Sequence, residues 1–413
     1  MVQNKHFKSL VRERMKKTGE RYTTARLRIM AARPTPAPEP GLLPGYPALP
    51  IGADSSTAQY DAALWHRILA QAGVENPLTG EPFSPAMLAG LGGGIGFMFA
   101  TFSYQELTTA TVVLRAHPEA YTDRMLDRSG VALDRTGTTG AKAAADALDS
   151  ALEAGRACVV RVTHGALPWI SSDGPLYQES IDIAVVGRDG DDRLVDGGGW
   201  SPGEDDADRL RRLKRTELAE ARRRRRADRH WAVSIATEPG GHGIEQLAEQ
   251  VRIAIAETTG RLLGTLPLEG IPSSWLPKFG VQGMRTWAGL LRDERSKRGW
   301  STLFADQRRL REGLEMVQLT AGGNRWGGPG GLRGLYADFL TEAAELPGLG
   351  TLEQSAASYR RLAPLWDGLI DESNPDVTAE GRCAHFARLA DRLDELADLE
   401  ARAARELAEA AAD

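Results

Sequence analysis

The spacing of hydrophobic and polar positions changes along the chain, and with it the kind of element expected. Helices are predicted near 58 to 72, near 84 to 90 and near 140 to 154, the last ended by Gly155. The middle one runs into the glycine-rich stretch Gly90-Leu91-Gly92-Gly93-Gly94-Ile95-Gly96. Beyond it the period drops to two: Cys158 to Thr163, Ile181 to Val186 and Arg193 to Asp196 read as strands. Between the last two, Arg188-Asp189-Gly190-Asp191-Asp192 supplies hairpin-turn chemistry. A highly charged helix is expected over 205 to 229, and Trp231 to Ala236 reads as one more strand. Helices then follow at about 243–259, 281–293, 301–318, 331–346, 351–370 and 379–411, with the short Gly/Pro breaks of an antiparallel bundle. Leu389, Leu393 and Leu396 give the last of these an apolar stripe. The expected class is α+β, a helical layer on a partly antiparallel sheet followed by an all-α region.

The first residues follow a different pattern. Phe7, Leu10, Val11 and Met15 share one helical face before Thr18-Gly19, and a second short helix fits Thr23 to Ala32. Lys5, Lys8, Arg12, Arg14, Lys16, Lys17, Arg21, Arg26, Arg28 and Arg33 oppose only Glu13 and Glu20 here, which makes a strongly basic leader. The prolines of residues 33 to 50 remove backbone donors and favour an extended linker. The expected organisation is a leader over 1–33, a linker over 34–52, an α/β domain over 53–203, a charged connecting helix and strand over 204–236 and a helical domain over 237–413.

At 413 residues, 42% hydrophobic and 26% charged, the chain has room for two or three domains and the balance of a globular protein. A net charge of -5 removes any global case for nucleic-acid binding and leaves only the local one of the leader. Cys158 and Cys383 form neither a disulfide framework nor a metal pair, which suits a reducing cytoplasm. The leader lacks the apolar centre of a signal peptide, and no stretch approaches the length of a membrane span.

Most local motifs read as structure. The glycines of 90–96 have no following Lys-Ser/Thr, so they end a helix and allow close packing. Asp189 to Asp192 is too short for a calcium loop, and the seven histidines show no metal-ligand spacing, so neither metal nor cofactor is expected. Cys158 sits in an apolar run, Cys383 and His385 point to different helix faces, and Ser55-Ser56-Thr57 reads as a helix N-cap. Arg222 to Arg226 reads as part of an exposed, salt-bridged helix. His164, just after a strand, reads first as a surface or packing residue and alternatively, together with Trp169, as lining a cleft.

Leu88 to Phe97, Thr138 to Val162, Ile181 to Gly187 and Leu194-Val195-Asp196 resemble the N-terminal domain of the butirosin biosynthesis protein H family. The C-terminal half resembles the helical domain of unknown function that commonly follows it, through Gly283 to Ala288, Gly322-Gly323-Asn324 and Leu332 to Leu340. The resemblance implies a papain-like, cysteine-peptidase-like architecture adapted to move an acyl group from a carrier-protein thioester to an amine. In such a scaffold a cysteine opening the first helix attacks, a histidine on a core strand takes its proton, and an Asp one strand later orients the histidine.

Carried over residue by residue, the cysteine position falls on Tyr60, preceded by Gln59, the histidine position on Ile181 or Asp182, and the Asp on Asp196. No cysteine lies in residues 1 to 157, and a phenol that ionises near pH about 10 is a poor thiolate substitute. The resulting expectation is a catalytically degenerate protein of specialised metabolism, acting by binding through Gln59, Tyr60, His164, Trp169, Asp182 and Asp196. The rival is an acyl or aminoacyl transferase using other residues. Expected partners are a carrier protein or small molecule, a second copy of the chain, and a protein assembly or nucleic acid at the leader, with no membrane association.

Overall fold

The computed structural model describes Lys17 and residues 40–47, 59–103, 108–118, 120–170, 177–197, 210–223, 228–268, 270–323 and 325–411. Of the basic leader, Lys17 is exposed, while Lys5, Lys8, Arg12, Arg14, Lys16, Arg21, Arg26 and Arg28 lie outside the described residues, as do Ser55 to Thr57.

From residue 59 on, the described elements are α1 (Tyr60–Gln71) and α2 (Pro85–Leu91), then a hairpin of β1 (Ile95–Ser103) and β2 (Thr108–Arg115), followed by α3 (Tyr121–Arg128). A six-stranded sheet comes next. Its strands are β3 (Val131–Thr136), β4 (Cys158–Thr163), β5 (Ser180–Asp189), β6 (Asp192–Asp196), β7 (Leu210–Lys214) and β8 (Ala232–Gly240), in the order β3-β8-β4-β5-β6-β7. Every described strand pair in it is antiparallel. The β5–β6 connection is the tight turn expected, with Gly190 at φ 59°, a conformation that costs glycine little. Helix α4 (Ala141–Glu153) packs on β4 and β5, α5 (Arg215–Arg223) on β4, and α1 on β5.

The C-terminal part is mainly helical: α6 (Ile244–Leu263), α7 (Gly280–Arg292), α8 (Trp300–Leu303), α9 (Gln307–Gly322), α10 (Arg333–Ala343), α11 (Leu352–Glu372) and α12 (Arg382–Ala410). Leu389, Leu393 and Leu396 are buried, as their spacing predicts. The β1–β2 hairpin packs into these helices rather than joining the large sheet, with β1 against α7 and β2 against α9. Phe97 lies 6.1 Å from both Trp287 and Trp366, and Phe99 stacks on Trp287 at 6.2 Å. Such aromatic contacts join both halves in one apolar core.

A buried ion pair reinforces that junction. Arg333, fully buried, donates from Nε to Glu400 at 2.6 Å and from its two terminal nitrogens to the carbonyls of Leu114 and Gly96, both at 3.1 Å. Trp366 Nε1 donates to the same Glu400 oxygen at 2.7 Å. One guanidinium thus ties β1 and β2 to α12. Nearby, Gly94 adopts φ 58°, and a Cβ there would meet the Tyr336 ring at 2.3 Å, so the glycine-rich stretch serves close packing as expected.

Several expectations need correction. Residues 210–214 of the expected charged helix form β7, and the helix begins only at Arg215, because an edge strand tolerates charged side chains facing water. Arg222 is buried, donating to the carbonyl of His230 at 2.8 Å, whereas Arg223 pairs with Glu220 on the surface; Arg224 to Arg226 lie outside the described residues. The helix expected at 301–318 is divided, with Asp306 capping α9. Part of the Pro-rich stretch is packed rather than loose: Leu42 bridges to Gly187, and Leu43 and Tyr46 are buried. Helix α1 is capped by Gln59, not by Ser55 to Thr57.

Candidate functional site

Helix α1 begins at the edge of a cleft, and the way it begins sets the site. Glutamine is an uncommon N-cap, yet Gln59 is fully buried, its Oε1 accepting from the Ala62 amide at 2.9 Å. Its Nε2 donates to Asp61 at 2.9 Å and to the Arg325 carbonyl at 3.1 Å. One side chain therefore caps the helix and holds a loop of the C-terminal part beside it.

Tyr60, the first residue of α1, and Asp182, on β5, both line this cleft of about 180 Å³. The Tyr60 hydroxyl donates to the Asp182 backbone carbonyl at 2.8 Å. The Asp182 carboxylate is taken by Arg161 on β4, which donates from Nε and Nη2 at 2.7 and 2.9 Å, the residues facing each other across the β4–β5 ladder. The Arg161 guanidinium also sits 4.5 Å from the centre of the Trp231 ring. Arg115, at the end of β2, also lines the cleft; it donates to Asp61 at 2.8 Å and lies 4.6 Å from the centre of the Tyr121 ring.

Burial dominates the electrostatics of both groups. Burial first, and then the negative charges of Asp196 and Asp61, hold the Tyr60 phenol well above its ordinary value, Arg67 opposing only in part. Burial also lifts the Asp182 carboxyl above the usual range against the pull of Arg161. Tyr60 and Asp182 are close, but the phenol proton points to a carbonyl and the carboxylate to a guanidinium. No proton-transfer pair is formed between them.

Asp196 lies behind this wall, fully buried, accepting from Arg67 at 2.7 and 3.0 Å and from the Tyr46 hydroxyl at 2.6 Å. Burial would lower Arg67, yet the adjoining Asp196 raises it on balance. His164 and Trp169 are not among the residues lining the cleft: His164 is buried in a turn after β4, and Trp169 packs under Arg211, 5.0 Å away. Cys158 is sealed in β4 opposite Val185 and Ser234, where burial pushes its thiol up to about 11. Cys383 is half-buried in α12. The arginines of the cleft carried no local sequence signal, since residues 115, 161 and 325 belong to separate elements that only the fold brings together.

Among the described residues no group of three or more His, Cys, Asp or Glu could hold a metal ion, and no helix is long and apolar enough to cross a membrane. The molecule is thus an α+β protein with antiparallel sheets, a mainly helical C-terminal region and a polar cleft at the start of its first described helix. Residues 61–196 match the family described as butirosin biosynthesis protein H, N-terminal, and residues 216–407 match the domain of unknown function DUF4872. The chain carries a butirosin biosynthesis protein H N-terminal domain followed by DUF4872, which is a butirosin biosynthesis protein H-like architecture. The first match opens at Asp61, one residue after Tyr60, and closes on Asp196. No curated protein matches the chain.

Proposed function

We propose that this chain is a butirosin-H-like protein of specialised metabolism that binds a small polar ligand in the Tyr60 cleft and does not carry out cysteine acyl transfer. The observation that carries the reading is the meeting of Tyr60 and Asp182 at the cleft, the first at a helix start and the second on a core strand. Those are the places where a papain-like scaffold needs its thiolate and its imidazole. Asp196, one strand on, has its carboxylate engaged by Arg67 and the Tyr46 hydroxyl. The sealed position of Cys158 supports the same reading, because a thiol pushed up to about 11 is scarcely ionised at neutral pH. We extend the proposal to a cytoplasmic setting and to recruitment through the basic segment of residues 1–33, on the strength of composition and charge alone.

Incubating the full chain with the butyryl thioester of N-acetylcysteamine and an amine acceptor tests the proposal. The expected yield of acylated amine is that of the protein-free control. Transfer above the control that disappears in Tyr60→Phe, or on alkylation of a cysteine, would replace the binding reading with an enzymatic one.

A further inference from the structure

The cleft is walled by three guanidinium groups from three parts of the chain: Arg115 at the end of β2, Arg161 on β4, and Arg325 in the loop between α9 and α10. Its carboxylates already have partners. Asp61 accepts from Arg115 and Gln59, Asp182 from two nitrogens of Arg161, and Asp123, at the outer rim, from Arg135 at 3.3 Å. The donors exceed these commitments. Arg115 uses Nη1 and Arg161 uses Nε and Nη2, so among the described residues Arg115 Nη2 and Arg161 Nη1 have no acceptor. A small cleft with spare guanidinium N–H groups is complementary to a ligand that brings negatively charged acceptors, since charge-assisted bonds to such groups are the strong ones.

Hydrogen bonds to the N-terminal part fix the Arg325 loop. Gln59 donates to the Arg325 carbonyl at 3.1 Å, and the Leu114 and Arg115 amides donate to the Trp326 carbonyl at 2.7 and 3.1 Å. Arg325 also lies 4.7 Å from the centre of the Trp326 ring. Burial lowers its affinity for its proton, with Asp61 and Asp182 opposing and Arg115 adding to the effect, as expected for cations gathered in one partly dry site. The helical domain of unknown function thus contributes a side chain to the cleft of the family domain before it.

We infer that the cleft takes a small molecule bearing an oxyanion, a carboxylate or a phosphate, held among Arg115, Arg161 and Arg325, and that Arg325 is the residue through which the C-terminal domain sets this preference. The inference rests on the cleft being a ligand site, as proposed above, and adds the ligand's chemistry and the second domain's part in reading it.

Titration of the full chain with succinate and, separately, inorganic phosphate tests it, with ethylammonium as a cationic and acetamide as a neutral control at constant ionic strength. At least one anion is expected to bind saturably and neither control to bind. Succinate alone would mark a carboxylate ligand, phosphate alone a phosphorylated one, and both a general oxyanion site. Arg325→Gln is expected to weaken anion binding by about tenfold or more, with an unliganded melting temperature within about 2 °C of the parent. Arg325→Lys keeps a charge but loses the fork, so an intermediate affinity is expected and serves if the glutamine variant does not fold. Absence of saturable anion binding, preference for ethylammonium, or unchanged binding in the folded Arg325 variants would overturn the inference. A chain that binds no anion and transfers no acyl group loses this inference but keeps the proposed function; one that transfers acyl groups loses the proposed function.

Discussion

The Tyr60 hydroxyl lies 2.8 Å from the backbone carbonyl oxygen of Asp182 and donates its proton there. The first residue of α1 is thereby pinned to β5, and the cleft wall between them is held by a bond that a catalytic nucleophile would have to break. The Asp182 side chain is engaged separately, by Arg161. The wall is organised to stay as it is.

Removing that hydroxyl isolates its contribution. Tyr60→Phe keeps the ring but leaves the Asp182 carbonyl without this donor, so stability should fall by about 1–2 kcal/mol. A lowered urea midpoint with an unchanged slope would show this. An unchanged midpoint would mean that the bond contributes nothing.

Arg333 and Glu400 make a sterner test of how the two halves are joined. Both are fully buried, so Arg333→Met should cost about 3–5 kcal/mol by leaving Glu400 without its cation and the Leu114 and Gly96 carbonyls without this donor. Hydrogen exchange should rise first in β1 and β2, which this side chain holds. Loss confined to α12, with the hairpin amides still protected, would show that the hairpin is held by its aromatic contacts alone.

Acid should loosen the fold in a definite window. Burial, with Arg115 adding, drives the His117 imidazole down to about 4, so the folded protein prefers it neutral. The stability this gives is complete above the unfolded value of about 6.5, declines as pH falls from there towards 4, and is gone below it. His117→Gln should remove up to about 3 kcal/mol of that decline. Some slope should persist, because His66 and His385 are lowered chiefly by burial as well and act with the same sign. A variant whose denaturation curves at pH 7 and pH 4 differ as much as the parent's would contradict this assignment.

Much of the architecture was readable from the residues, and the failures share a cause. Cys158 to Thr163 forms a strand with those bounds because it sits between neighbours in a sheet, where β-branched apolar residues are favoured. The β1–β2 hairpin shows no period-two signal because residues 95–100 are continuously buried: helices from the other end of the chain cover the hairpin, which erases alternation. Leu210 to Lys214 misled in the opposite way, its charges suggesting a solvated helix where an edge strand forms. At the site, the family resemblance points to Tyr60, Asp182 and Asp196, of which the first two line the cleft and the last is fully buried away from it. Arg115 and Arg325 were out of reach, since 210 positions separate them and only the packing of the hairpin on the C-terminal helices brings them to one cleft.

Whether the scaffold works without thioester chemistry is most directly decided by intact-mass spectrometry of the full chain after exposure to an activated acyl thioester. The account predicts an unmodified mass under native conditions at neutral pH. An acyl adduct on Tyr60, Cys158 or Cys383 that forms at catalytic speed and is discharged by an added amine would contradict it.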